Sequence, residues 1–463
     1  MVYQIKWSRS IGEIIASLLV SCFLLSLVYF YISASSGALN AHERSAGLNV
    51  QTSSTRGDGH FISENIGREN MRNKNPKTTP VLSCDLTDFR SEVCEIYSNV
   101  RIHGSSSSIL FTSEKTVSLE ANKTWRVRPY TRKFDAFAME KIRAVTIRPL
   151  VASTEAPKCD LYHNITAVVF SSGRYVGNFF HDFSDVLLPL FITARQFEGE
   201  VQILISDMQL WWIEKHRRVF NQLSNYEIID FNKENRVHCY PRAIVGLYSH
   251  AELTIDPSRT PNNYSMVDFS RLMRRAYSLE RDFAINLVER SKRKPRLLII
   301  ARNHTRKIIN VGAVVDVGEE LGFEVVVSES SFRTSVGEFA RMVNSFDVMM
   351  GVHGAGLTNQ VFLPTNAVLI QIVPFGNLEA LSELDFGKAA ANMMLKYLQY
   401  SISEEESTLI DIYPRDHVVF RDPMSIHKQG WAKMGKIYLR QQSVKLNVTR
   451  FKPFLRRALE LLT

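Results

Sequence analysis

The stretch from Phe346 to Pro374 reads as strand, glycine turn, short helix and second strand. Phe346 to Met350 is apolar, and Gly351, Gly354 and Gly356 let the backbone turn sharply. Leu357 to Leu363 has room for a short helix that Pro364 stops, and Val368 to Val373 is again apolar. A glycine loop between a strand end and a helix start binds anions, because uncovered N–H groups and the helix dipole both point at the ligand. Such loops are also common in parallel-sheet proteins that bind nothing there. His353, with Gly354, Ala355 and Gly356 behind it, raises this loop above the generic kind. A dinucleotide fingerprint needs a third glycine and an acid ~20 residues on. Here Asn359 takes the glycine's place and the second strand leads to Gln371, so NAD is disfavoured. The diphosphate of a nucleotide-sugar is the expected ligand.

Two further clusters belong with the loop. Arg302 and Arg306 stand at the end of an earlier apolar run, and a guanidinium presents a planar fork suited to phosphate oxygens. Pairing of one arginine with a surface carboxylate is the structural alternative. His181-Asp182 precedes another helical pattern. A carboxylate there could act as general base on an acceptor hydroxyl. Asp182 could equally cap the helix, with Asp185 complementing its dipole. No D-x-D, H-E-x-x-H, G-x-S-x-G or P-loop pattern occurs, which weakens metal-held nucleotide, zinc-protease, hydrolase and P-loop readings.

Strand–helix alternation must position these residues. Ile165–Phe170, Val201–Ser206 and Tyr226–Asp230 read as strands, with helices over 184–197 and 211–223 between them. Val127–Arg148 reads as an extended lead-in, and helical spacing runs from Met266 to Arg290. The pattern predicts an α/β fold, mostly parallel and covered on both faces. The basic stretch Ser291–Pro295 divides an acceptor-side domain, 84–290, from a nucleotide-sugar domain, 291–463. In the second domain, Arg296–Arg302 and Phe323–Ser328 read as strands, with a helix over 314–321 and a capping box at Ser335–Glu338. The tail from Phe386 reads as helices and loops, with Tyr438, Val444, Leu446, Phe451 and Leu455 docking it.

The N-terminus bears on compartment. Ile14 to Ile32 is uncharged and long enough to span a bilayer, after a basic tail (1–13) carrying Lys6 and Arg9. A cleaved signal peptide is the alternative. Residues 33–83 are rich in Ser, Asn, Gly, Thr and Arg and predict a flexible lumenal stem. Four cysteines remain beyond the span: Cys84, Cys94, Cys159 and Cys239. Three connectivities are open to them; Cys84–Cys94 and Cys159–Cys239 is the expected pairing, and no spacing suggests a metal site. Asn122, Asn164, Asn263, Asn303 and Asn447 open N-x-S/T sequons. A glycan on Asn303, between the two arginines, would crowd the donor site, so it is expected to be unoccupied. A composition 45% hydrophobic and 22% charged supports a sizeable core. The net charge of +9 could suit nucleic acid, but a lumenal body excludes that partner and leaves anionic substrates or solvated surface.

The sequence resembles glycosyltransferase family 61, in particular plant members that decorate xylan. The resemblance rests on Gly177–Asp185, on Arg302 to Arg306 with Asn310, and on Gly351–Asn359. Cys84-Asp85 with Cys94, and Tyr397–Tyr400 followed by Glu404–Thr408, carry it further, so it spans Cys84 to the C-terminus. It implies a GT-B-like pair of Rossmann-like domains across a cleft, in a type II Golgi membrane protein. It implies inverting transfer of an arabinofuranosyl or xylosyl group from a UDP-sugar to xylan, without a metal. Asp182, with His181, becomes the expected base, and Arg302, Arg306, His353, Gly354, Ala355, Gly356 and Asn359 the donor contacts. Xylosyl transfer to N-glycans, O-linked GlcNAc transfer to protein, and a silent sugar-binding partner of a synthase complex are the alternatives.

Overall fold

The computed structural model describes residues 81–112, 123–150, 156–289, 293–329 and 335–463. The expected tail, membrane span and all but the end of the stem lie outside these residues, as does Asn122. Among the described residues no helix is long and apolar enough to cross a membrane. Strand formation begins at Leu82, so the last residues assigned to the stem already belong to the body.

Twelve strands build the N-terminal half: β1 (Leu82–Asp85), β2 (Val93–Ile96), β3 (Asn99–His103), β4 (Ser108–Thr112), β5 (Trp125–Val127), β6 (Val145–Leu150), β7 (Leu161–Tyr162), β8 (Thr166–Ser171), β9 (Val201–Ser206), β10 (Ile229–Asp230), β11 (Val237–Tyr240) and β12 (Arg242–Val245). They form two sheets, β1-β2-β12-β8-β9-β10 and β5-β6-β4-β3-β11-β7. In the first, β12, β8, β9 and β10 run parallel, β2 lies antiparallel to β12, and β1 antiparallel to β2. Alternation along β8 settles the layers. Val168 and Phe170 face the helix over 179–197 (α1), while Ala167 and Val169 pack with Ile102, Phe111 and Ile147 of the second sheet. Helices on both faces were expected, but the second sheet covers one of them. Its strands alternate too briefly to register as a layer, and the expected lead-in over 127–148 is β5, a short helix and β6.

Helix α2 (Leu210–Phe220) follows β9, and α3 (Met266–Tyr277) closes this half. The helix expected to reach Arg290 stops at Ser278, whose φ of 53° is left-handed. Its hydrophobic spacing continues, but Phe283 instead bridges to Thr365.

The C-terminal half holds one five-stranded parallel sheet: β13 (Arg296–Ala301), β14 (Glu324–Glu329), β15 (Val348–Val352), β16 (Val368–Val373) and β17 (Lys396–Ser401), in the order β14-β13-β15-β16-β17. Strand β17 lies where helices and loops were expected. Leu297 and Ile299 pack under α4 (Val311–Glu320), and this half also holds a helix over 379–392 (α6), short helical turns over 418–441 and the terminal α7 (Val448–Glu460). Before them α5 (Val336–Asn344) opens on the capping box read at Ser335 and Glu338. Leu298 and Ile300 face the other way, into an apolar cluster with Phe183, Phe269 and Leu190. One core therefore runs through both halves, and Thr78–Thr463 forms a single compact unit. Tyr438, Val444, Leu446, Phe451 and Leu455 are all buried, as expected of docking residues.

Candidate active site

In open parallel sheets a ligand sits beyond the carboxyl ends of the strands, where the order reverses. Here that point lies between β13 and β15, and it carries Arg302 and the His353–Gly354 turn. Arg302 Nε donates to the Thr305 carbonyl (2.9 Å) and Arg306 Nη1 to the His353 carbonyl (2.7 Å). Gly354 has φ of 142°, and a Cβ there would lie 2.9 Å from Arg302 Nη1 and 3.0 Å from Arg306 Nη1. That φ favours glycine, and the two guanidinium ends crowd its bare Cα.

Neither arginine has a carboxylate partner among the described residues, and Arg306 Nε is buried without any partner. Burial lowers the pKa of Arg302. Burial, then the charges of Arg302 and Arg440, bring Arg306 down to about 9. Two half-buried cations without a counterion are costly unless an anion completes them. Beside them opens a cavity of about 380 Å³ lined by Arg302, Ile308, Ile309, Val311, Val327 and Glu329. Exposed Asn303 lies at this edge, its amide held by Glu329.

His353 is 4% exposed. Its Nδ1 accepts a hydrogen bond from Gln371 Nε2 (2.9 Å), and Tyr397 hydroxyl donates to Gln371 Oε1 (2.8 Å). An amide nitrogen only donates, so Nδ1 is bare and the imidazole proton sits on Nε2. Burial, then Arg306 and Arg302, push the His353 pKa down to about 3, so the ring is neutral. Ala355 and Gly356 open a 3-10 helix, Ala355–Phe362. Gly356 lets this turn approach Ile300, with a Cβ–Cγ2 gap of 3.0 Å. Asn359 is buried, and its amide donates to the Gly356 carbonyl (2.8 Å). It braces the loop.

Across the shared core stands α1. Asn178 caps it through the Phe180 N–H (3.1 Å), so the capping alternative for Asp182 does not hold. Asp182 is instead closed in by donors. It is 1% exposed; Oδ1 accepts from the Gly177 N–H (2.7 Å), and Oδ2 from Lys215 Nζ (2.9 Å) and His216 Nε2 (3.1 Å). Burial alone would raise its pKa, but His216, Lys215 and Gly177 together hold it below the ordinary value. Burial depresses His216, leaving it a neutral donor whose Nδ1 is bare. Asp182 is thus an internal ion-pair anchor between α1 and α2.

The helix widens into a π turn over Asp182–Leu187, and π turns often mark functional positions. This turn brings His181 Nδ1 2.8 Å from Asp185 Oδ2. Asp185 also accepts from Tyr130 hydroxyl (2.7 Å) and Arg132 Nη1 (3.1 Å), so it cannot rotate away. Arg132 reaches on to Glu252, which also binds Arg90 Nη1 (3.0 Å) and Ser184 Oγ (2.8 Å). Burial opposes ionisation of Glu252, but the two arginines hold it at about 2. The Tyr175 ring stacks on His181 at 4.5 Å. Among the described residues nothing hydrogen-bonds His181 Nε2, so the dyad presents a nitrogen with a fixed tautomer.

Phe386 of α6 joins the two ends. Its ring lies 5.6 Å from His353 and 5.4 Å from Phe180, the neighbour of His181. The sequence pointed to His181, Arg302, Arg306 and His353 as candidates but not to Asp185 as the imidazole's partner, although the i,i+4 spacing on a helix was visible. Arg132, Glu252 and Gln371 had no local signal. Cys84 pairs with Cys94 and Cys159 with Cys239. Asn164, Asn263 and Asn447 are exposed; Asn447 also caps α7 through the Arg450 N–H.

The family described as Glycosyltransferase 61 matches residues 177–370, a span holding both the His181 dyad and the arginine–glycine site. Alpha-1,3-arabinosyltransferase XAT2 of Oryza sativa subsp. japonica is 51% identical over 377 residues, covering 81% of this chain and 64% of its own. This chain therefore spans a little less than two thirds of that relative. Beta-1,2-xylosyltransferase XYXT1 of the same organism is 47% identical, covering 83% of this chain and 85% of its own. Xylan glycosyltransferase MUCI21 of Arabidopsis thaliana is 35% identical, covering 85% and 82%. On this similarity along most of both chains, the protein belongs to glycosyltransferase family 61.

Proposed function

We propose that this glycosyltransferase moves a pentosyl group, L-arabinofuranosyl or D-xylosyl, from a UDP-sugar to the xylan backbone in arabinoxylan synthesis, with inversion. The observation that carries the reading is the pair of half-buried arginines without carboxylate partners among the described residues, joined through Phe386 to a His–Asp dyad. The relatives' arabinosyl, xylosyl and xylan activities supply the sugar and acceptor classes. We read the two sheet systems as a GT-B-like pair of Rossmann-like halves, with the donor at β13 and β15 and the acceptor toward α1. The apolar wall of the neighbouring cavity suits the uridine.

His181 Nε2 takes the acceptor hydroxyl proton, and Asp185 stabilises the imidazolium that forms. The acceptor oxygen bonds to the anomeric carbon from the face opposite UDP as the bond to the β-phosphate oxygen breaks. The charge growing on the diphosphate falls to Arg302 and Arg306. Those two cations supply the countercharge, so we propose transfer without a metal, and chelator in the assay should leave the rate unchanged. We further propose a Golgi lumenal body anchored through residues 14–32; two disulfides suit that compartment. Asn303 is proposed unoccupied in active protein, and its modification should be read by glycopeptide mass spectrometry. Full-length protein in detergent, given UDP-arabinofuranose or UDP-xylose and xylo-oligosaccharides, should yield a pentosylated product. Product from neither donor would reject the reading.

A further inference from the structure

One half-buried acidic group stands outside the site described above. Asp385 lies in the π turn Glu383–Gly387 of α6, directly before Phe386, the ring that joins the His353 end to the His181 end. Its side chain is 18% exposed and makes no hydrogen bond among the described residues. The cations facing it from the other half are already engaged: Arg132 by Asp185 and Glu252, Arg90 by Glu252. Across from it, His353 Nε2 lies 3.8 Å from Asp385 Oδ2. That gap is too long for a hydrogen bond, and the imidazole is neutral, so the contact is not an ion pair.

The two atoms define what fits between them. His353 Nε2–H only donates there, and Asp385, when ionised, only accepts. A group that accepts from one and donates to the other completes both. A diphosphate oxygen cannot donate and would be repelled by the carboxylate; a sugar hydroxyl does both. The position agrees, since the transferred sugar must lie between the diphosphate at Arg302 and Arg306 and the base at His181. Resting on the donor reading above, we propose that Asp385 and His353 Nε2–H form the subsite that binds a ring hydroxyl of the donor sugar. Burial, then the Glu252 charge, push the carboxyl up to about 7.

The test measures UDP affinity by calorimetry and donor KM with the full-length protein. Asp385→Ala should leave the UDP Kd within about twofold while raising the UDP-pentose KM about tenfold or more, the scale of one lost hydrogen bond to a charged group. Asp385→Asn, whose amide oxygen still accepts, should fall between. Among UDP-xylose analogues lacking one ring hydroxyl each, wild type should reject one strongly and Asp385→Ala should not. An unmoved donor KM, a parallel loss of UDP affinity, or equal discrimination by both proteins would overturn the subsite alone. Wild-type protein that binds no UDP would overturn the donor reading beneath it.

Discussion

His181 and Asp182 are adjacent in sequence and do opposite things in space. The imidazole is held by Asp185 with one nitrogen spare, whereas the carboxylate is closed in by three donors. His181→Ala should therefore lower kcat by roughly 10²–10⁴ with the melting temperature and UDP affinity unchanged. Asp182→Asn should lower stability, because it leaves Lys215 facing a neutral amide inside the lobe; with Lys215 partly exposed, the loss belongs near the low end of about 3–5 kcal/mol. If Asp182→Asn instead abolished transfer at an unchanged melting temperature, the base would revert to Asp182. The sequence showed a histidine followed by two nearby acids. Which acid meets the ring depends on a π turn that no local pattern announces. Asp385 was less legible still, since nothing around it in sequence points to a cleft.

The glycine loop was the most legible element, because strand, turn and glycine spacing are local properties. Its outcome was sharper than the expectation: Gly354 serves less to bare N–H groups than to admit two guanidinium groups. Gly354→Ala should weaken UDP binding at least about tenfold by driving both arginines apart and straining the turn, as titration calorimetry would show. Arg306→Ala should raise donor KM and flatten its dependence on salt. Strands β8, β9, β13 and β16 were visible as apolar runs between turn signals. Strands β3 to β6 were not, since each depends on a partner sheet for its burial, and α3 ended early because Ser278 turns left-handed while the apolar spacing ran on.

At the scale of the whole molecule, pH acts on the cleft through two groups of opposite sense. Asp385 is raised to about 7 in the fold, above an ordinary 3.8, so the folded state gains stability as pH falls from about 7 toward 4. His353 is lowered to about 3, from an ordinary 6.5, so the fold loses stability as pH falls through and below 6.5. Asp385→Asn should be more stable than wild type at pH 8, with the gap narrowing steadily toward pH 4 in thermal melts. The Cys159–Cys239 bridge closes an 80-residue separation and ties β11 to the segment before β7. Replacing both cysteines by serine should cost on the order of 4 kcal/mol by the loop-closure argument, read as a fall in denaturation midpoint. The shared core has a practical meaning for redesign. The boundary near residue 290 looks like a place to splice an arabinosyl relative onto a xylosyl one, yet Leu298, Ile300 and Met349 pack in one cluster with Phe183 and Phe269. A chimera cut there would inherit two mismatched half-interiors. Sugar preference should be transplanted as a handful of cleft side chains, with the recipient's interior left whole.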